Sequence, residues 1–179
     1  MSTATRQGAR GIEEHLGTVG EAMTGEVVAL AADLAADVAL RRLEERRVSG
    51  APVVQAGRVV GVVTLRDLLT PVSVAQPVMT SGPFLRREHL LARFRVAELM
   101  TFEPVTARAD WPLGRAVLAM DEVGVNRLPV VDADGRPVGI LTRDDVVSAL
   151  ARRLRTGGRA EGTAPEPEPP PRRPVILPD

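Results

Sequence analysis

The stretch GVVTLRDLL at positions 61–69 returns as GILTRDDVV at 139–147. A chain of 179 residues that spells one strand-to-helix junction twice is constrained to fold one small unit twice. Each copy places a glycine before two aliphatic residues, a threonine, two variable positions, an aspartate and an apolar pair. Either the junction is repeated for structural reasons or it is a repeated binding device. The repetition extends in the N-terminal direction: VGEAMT at 19–24 is answered by VAELMT at 96–101, 77 residues on. At the same offset Asp33 meets Asp110, Ala39 meets Ala116, Leu43 meets Met120, Val48 meets Val125, and APVV at 51–54 meets LPVV at 128–131. One extra residue enters where QAGR faces DADGR, so that Gly61 and Gly139 stand 78 apart. That insertion falls in a hairpin turn, where it costs least.

The pattern predicts a β-α-β-β-α order in each repeat. The segments VVAL and PVTA read as extended, Asp33 and Asp110 are placed to cap a following helix, and Pro112 suits its first turn. Ala36, Ala39, Leu40 and Leu43 form an apolar face at helical spacing, matched by Leu113, Ala116, Val117 and Met120. APVVQAGRVVGVVT and LPVVDADGRPVGILT are two β-branched runs around a Gly- or Asp-containing turn, which predicts a hairpin. A second helix follows, over about 65–69 and 143–154. A unit of roughly 55 residues buries little surface alone, and two packed face to face supply the missing layer. The expected fold class is α+β. Repeat one is placed at 14–70, a linker with a short helix from Leu85 at 71–94, repeat two at 95–154, and a proline-rich tail at 155–179, for which a disordered or polyproline-like state is expected. The first dozen residues are expected to be loose.

Composition narrows the function. Basic and acidic residues balance at 23 each, so no whole-chain field draws nucleic acid or an anionic membrane. Aromatic residues make up 2% of the chain, which weakens any model built on bases stacking against an aromatic platform. With no cysteine there is no disulfide, thiolate nucleophile or Cys-ligated metal. No run approaches 18 apolar residues and the first ten lack an apolar stretch, which predicts a cytoplasmic protein that neither spans nor docks on a membrane.

The repeated Thr-x-x-Asp has two physical readings. Thr64 and Thr142 can cap the helices that follow, with Asp67 and Asp145 returning to the cap amide at the favourable end of the helix dipole. The same helix start offers amides and positive potential to a phosphate, and an aspartate one turn in can accept from a ribose diol. SGAPV at 49–53 and NRLPV at 126–130 open the neighbouring strand, where backbone carbonyls and amides face a flat base. Nucleoside plus phosphate is what such a site would hold.

With these pieces in place, Met-Thr early, a proline two residues into the hairpin strand and Gly-h-h-Thr-x-x-Asp at the end, the chain resembles tandem CBS-domain proteins, the Bateman module, over about residues 14–154. The resemblance implies a pseudo-twofold pair of repeats with clefts for AMP, ADP, ATP or S-adenosylmethionine as regulatory ligands, with no required cofactor. It places site one at Thr24, Val28, Val48, Gly50, Pro52, Thr64, Arg66 and Asp67. Site two takes Thr101, Val105, Val125, Arg127, Pro129, Thr142, Arg143 and Asp145. The two differ where Gly50 faces Arg127, whose guanidinium can either reach a phosphate or fill the base pocket.

Catalysis finds little support. His15 and His89 are the only histidines and neither lies at the repeated motif. No Ser or Thr has a companion base in a recognisable setting, no phosphate loop is present, and Asp132, Asp134 and Gly135 read as turn residues. Trp111 and Phe102 are expected to pack against the core or a partner subunit. The expectation is a non-enzymatic sensor that signals to an effector protein in trans, dimerising through helix surface around Leu40 and Val117. Its rival is a structural or interaction homodimer with empty clefts, whose PEPEPPPRRP tail offers itself to a proline-recognising partner.

Overall fold

A computed structural model describes residues 16–75, 87–156 and 175–176. In chain order the elements are α1 (Val19–Ala22), β1 (Val28–Ala31), α2 (Ala36–Glu45), β2 (Gly50–Gln55), β3 (Arg58–Thr64), α3 (Leu65–Ala75), α4 (Arg87–Leu91), α5 (Val96–Leu99), β4 (Thr101–Phe102), α6 (Leu113–Val123), β5 (Arg127–Val131), β6 (Pro137–Thr142), α7 (Arg143–Thr156) and β7 (Val175–Ile176). The α+β class and both hairpins follow the sequence expectation. The expectations for the first dozen residues and for 157–174 lie outside the described residues.

The chain divides into two compact units: Met1–Glu26 with Val105–Ala133 and Val138–Arg173, and Val27–Pro104 with Asp134–Pro137 and Pro174–Asp179. We call them the Asp145 unit and the Asp67 unit. Neither is one contiguous repeat, because each takes its Met-Thr segment from the other repeat.

In the Asp67 unit the sheet order is β4-β3-β2-β1-β7. Strands β2 and β3 form an antiparallel hairpin with Gly50 opposite Thr64, and β1 runs parallel to β2 with Leu30 opposite Val53. Helix α2 turns Ala36, Ala39, Leu40 and Leu43 inward, the face expected from its spacing. Those residues join Leu30, Val53, Val63, Leu68, Leu91 and Val96 in one core. Leu40, expected on a dimer surface, is only 4% exposed. Short helix α4 packs against α2 and α3 and brings Leu91 into the same cluster, covering the face that the sequence left bare.

The second helix of this unit runs beyond the expected 65–69 to Ala75, through Pro71. Proline removes one backbone donor from the ladder. The hydroxyls of Thr70 and Ser73 donate to the carbonyls of Arg66 and Leu69 at 3.0 and 3.2 Å on either side of it.

The Asp145 unit repeats the scheme with β5 and β6 as its hairpin, α6 and α7 as its helices, and its first strand reduced to a single parallel bridge between Ala107 and Val130. Val19, Ala22, Leu113, Ala116, Met120, Leu128, Val130 and Leu141 make its core. Trp111 packs at the edge of that core with Arg115 over its ring, 3.7 Å from the centroid. Phe102, by contrast, is 64% exposed and not in a core.

Asp33 and Asp110 do not cap their helices. The N-cap positions are Ala35 and Pro112, with no side-chain cap bond. The first helical amides are satisfied from far along the chain instead: Ala36 N–H donates to the Phe94 carbonyl at 2.9 Å, and Leu113 N–H to the Gly17 carbonyl at 2.8 Å. With those donors spent, a side-chain cap has less to stabilise.

Candidate functional site

The two Thr-x-x-Asp junctions have one geometry. In the Asp67 unit, the Thr64 amide and hydroxyl donate to Asp67 Oδ2 at 2.8 and 2.7 Å, and the Asp67 amide donates back to Thr64 Oγ1 at 3.3 Å. In the Asp145 unit the corresponding distances at Thr142 and Asp145 are 2.7, 2.5 and 3.3 Å. Each helix start is also tied to the residue before the hairpin strand. Leu65 N–H donates to the Ser49 carbonyl at 3.0 Å and Arg143 N–H to that of Asn126 at 3.1 Å. These bonds complete a capping box and satisfy the structural reading of the motif.

They use one carboxylate oxygen in each aspartate. Asp145 Oδ1 accepts a long bond from the Thr24 hydroxyl at 3.4 Å. No described residue bonds to Asp67 Oδ1. A half-buried carboxylate oxygen with spare lone pairs, set beside a helix start, is suited to accept from hydroxyl groups of a ligand.

The sheet places Val28, Gly50, Pro52 and Thr64 of site one together. Because Leu30 pairs with Val53 in parallel register, Val28 comes level with Ala51, which pairs with Val63. The start of β1, the start of β2 with buried Gly50 and Pro52, and the end of β3 with Thr64 therefore lie at one end of the sheet. Two strand spacings separate β1 from β3, about 10 Å, the length of a nucleoside. Val48 sits just before this row, its amide held by the Leu43 carbonyl at 3.0 Å, and Arg66 lies exposed on the first turn of α3.

Thr24 and Thr101 occupy exchanged places. Thr24 forms an antiparallel bridge with Ile140 and reaches Asp145, whereas Thr101 pairs with Val62 on β3 of the Asp67 unit. The expected grouping of Thr24 with Asp67 and of Thr101 with Asp145 is thus corrected. The same bonds hold both exchanged segments. Val19 and Gly20 amides donate to the Trp111 and Ala109 carbonyls, as Val96 and Ala97 amides do to Leu34 and Ala32, all at 2.8–2.9 Å. Met23 and Met100, the methionines of the repeated Met-Thr pair, lie against Gly139 and Gly61: a Cβ on Gly139 would stand 2.5 Å from Met23 Sδ and 3.0 Å from the Thr24 carbonyl, and one on Gly61 would collide with Met100.

In the Asp145 unit, Val105 is exposed, Val125 donates to the Met120 carbonyl at 2.9 Å, Pro129 is buried, and Arg143 is exposed at the helix start. Arg127 opens β5 half-buried, where Gly50 of the other unit has no side chain at all. His89 lies exposed on α4, and His15 lies outside the described residues.

A family model described as CBS domain matches residues 19–73 and 96–152. The CBS domain-containing protein CBSX1 of Arabidopsis thaliana, a chloroplastic protein, is 33% identical over 159 residues, covering 79% of this chain and 67% of that protein. The crystal structure of CBSX2 in complex with AMP superimposes with a TM-score of 0.61 at 34% identity, covering 76% of this chain and 98% of the other. The cytosolic domain of the Mg2+ channel MgtE in complex with ATP gives 0.57 at 31% identity, over 73% of this chain and 48% of that one.

Proposed function

Since this chain belongs to the CBS-domain family, we propose that it is a regulatory module that holds an adenosyl ligand, of the class of AMP, ADP, ATP or S-adenosylmethionine, at its Thr-x-x-Asp junctions and signals occupancy to a partner protein in trans. The observation that carries this reading is the second oxygen of Asp67. Capping alone uses Oδ2, and Oδ1 points to a further acceptor role. The start of β1 and β2 offers backbone to a base, and Arg66, exposed on the first turn of α3, offers donors to a phosphate. The AMP bound by CBSX2 and the ATP bound by the MgtE domain, each at more than 30% identity, support the adenosyl class.

The Asp67 site is the stronger of the two. Gly50 leaves room where Arg127 narrows the second cleft, and Asp145 already accepts from Thr24. The module has no chemistry of its own in this reading and acts in the cytoplasm as a homodimer. Support for the dimer lies in the Asp145 unit, where Leu118 is 58%, Val147 64% and Leu154 73% exposed and a groove of about 250 Å³ is lined by Val117, Met120, Asp121, Arg143, Val146 and Val147. Among the described residues no helix is long and apolar enough to cross a membrane.

The complete capping box at both junctions favours a second reading, a structural homodimer whose Thr and Asp serve only the helices. Thermal unfolding with AMP, ADP, ATP and S-adenosylmethionine at millimolar concentration separates the two, because a ligand selective for the folded state raises its stability by mass action. The sensor predicts a rise with at least one of the four, and the structural module predicts none.

A further inference from the structure

We propose that the edge of β1 is a strand-accepting site filled by the chain's own Val175–Ile176, and that this pairing competes with the adenosyl ligand at the Asp67 site. The competition rests on the adenosyl reading above; the strand pairing does not. Strand β7 adds to β1 in parallel, Val28 opposite Val175 and Ala29 opposite Ile176. Without it, β1 would close the sheet with a row of unpaired backbone groups, the kind of edge that accepts an extended peptide.

The sequence suits a short, displaceable strand. Val175, Ile176 and Leu177 are aliphatic, two of them β-branched, and stand between Pro174 and Pro178. Proline has no amide to donate, so the ladder cannot lengthen on either side. A pairing limited to two or three residues is easily exchanged for another partner. Its location decides what that partner is. β7 meets β1 at Val28, the end of the sheet shared with Gly50 and Thr64, and not at the far end by Ala31. An adenine reading the backbone at the start of β1 and β2 would need the edge that Val175 holds. In the Asp145 unit the corresponding first strand is the single Ala107–Val130 bridge, with no added strand among the described residues. The tail therefore acts on one site of the two.

The test compares the full chain with a truncation lacking residues 174–179 and with the double variant Val175→Pro, Ile176→Pro in the full chain, which keeps the tail but removes both amides of β7, whichever of them faces β1. Hydrogen exchange of the peptide covering Val28–Ala31 reads strand docking without any ligand, and calorimetric titration with AMP reads competition. Both variants are expected to exchange faster at β1 and to bind AMP about 3- to 10-fold more tightly, the gain that follows when a self-blocked fraction is released. Unchanged exchange in both variants would overturn the strand pairing. Faster exchange with unchanged AMP affinity would overturn the competition. If no form binds AMP while exchange still rises, the adenosyl reading falls and the strand-accepting edge stands.

Discussion

Thr24 and Asp145, 121 residues apart, meet at 3.4 Å in the same unit, although Thr24 opens the first repeat and Asp145 closes the second. The contact marks an exchange in which each repeat lends its Met-Thr segment to the hairpin of the other.

The hydrogen bond itself is long and exposed, so the exchange is held by backbone hydrogen bonds and packing instead. Thr24→Val is expected to change unfolding free energy by about 0.5 kcal/mol or less. Gly139→Ala drives a methyl against Met23 and against the Thr24 carbonyl, which cannot rotate away, and is expected to cost about 1–3 kcal/mol, as is Gly61→Ala against Met100. Urea unfolding of the three variants checks the order.

The ends of α2 and α6 differ by one residue type. Gly124 follows α6 in the left-handed region at φ 71°, and its counterpart after α2 is Arg47 at φ 53°. Both make the same amide bond, to the Asp121 and Glu44 carbonyls at 3.2 and 3.0 Å. A side chain in that region carries a steric cost that glycine avoids, partly offset by the freer unfolded chain. Arg47→Gly is expected to stabilise the protein by about 0.5–1 kcal/mol and Gly124→Ala to destabilise it by about 1 kcal/mol, readable as opposite shifts in the urea midpoint.

The proposed homodimer would use the apolar stripe of α7. Leu150→Glu with Leu154→Glu places two carboxylates on a surface where both leucines are now at least 45% exposed. Sedimentation velocity at micromolar concentration is expected to show a dimer for the parent chain and a 19.1 kDa species for the double variant, with an unchanged far-ultraviolet spectrum. A parent chain that sediments at 19.1 kDa removes the dimer.

Much of this architecture was legible because it is written twice. The hairpins, the inward faces of α2 and α6 and the Thr-x-x-Asp helix starts each follow from a local pattern that the second copy repeats. The exchange was not legible, for a physical reason. VGEAMT and VAELMT are so alike, and Gly61 and Gly139 present such similar shelves, that either pairing satisfies the local pattern equally well. The caps failed differently. Asp33 and Asp110 have the right chemistry, but Phe94 and Gly17 supply the first acceptors from distant positions that no local window contains. Leu40 was misplaced because the linker helix that covers it lies more than forty residues away in sequence.

The central claim is that Asp67 is a ligand residue as well as a cap, and titration calorimetry of AMP against the parent chain, Asp67→Ala and Asp145→Ala tests it most directly. Loss of the cap alone should lower the stability of both variants by about 1 kcal/mol. Loss of a charged acceptor for two ribose hydroxyls should weaken AMP binding in Asp67→Ala by roughly 10- to 150-fold, equivalent to about 1.5–3 kcal/mol, with a smaller loss in Asp145→Ala. Equal stability losses with no change in AMP affinity, or no AMP binding by the parent chain, would contradict the account.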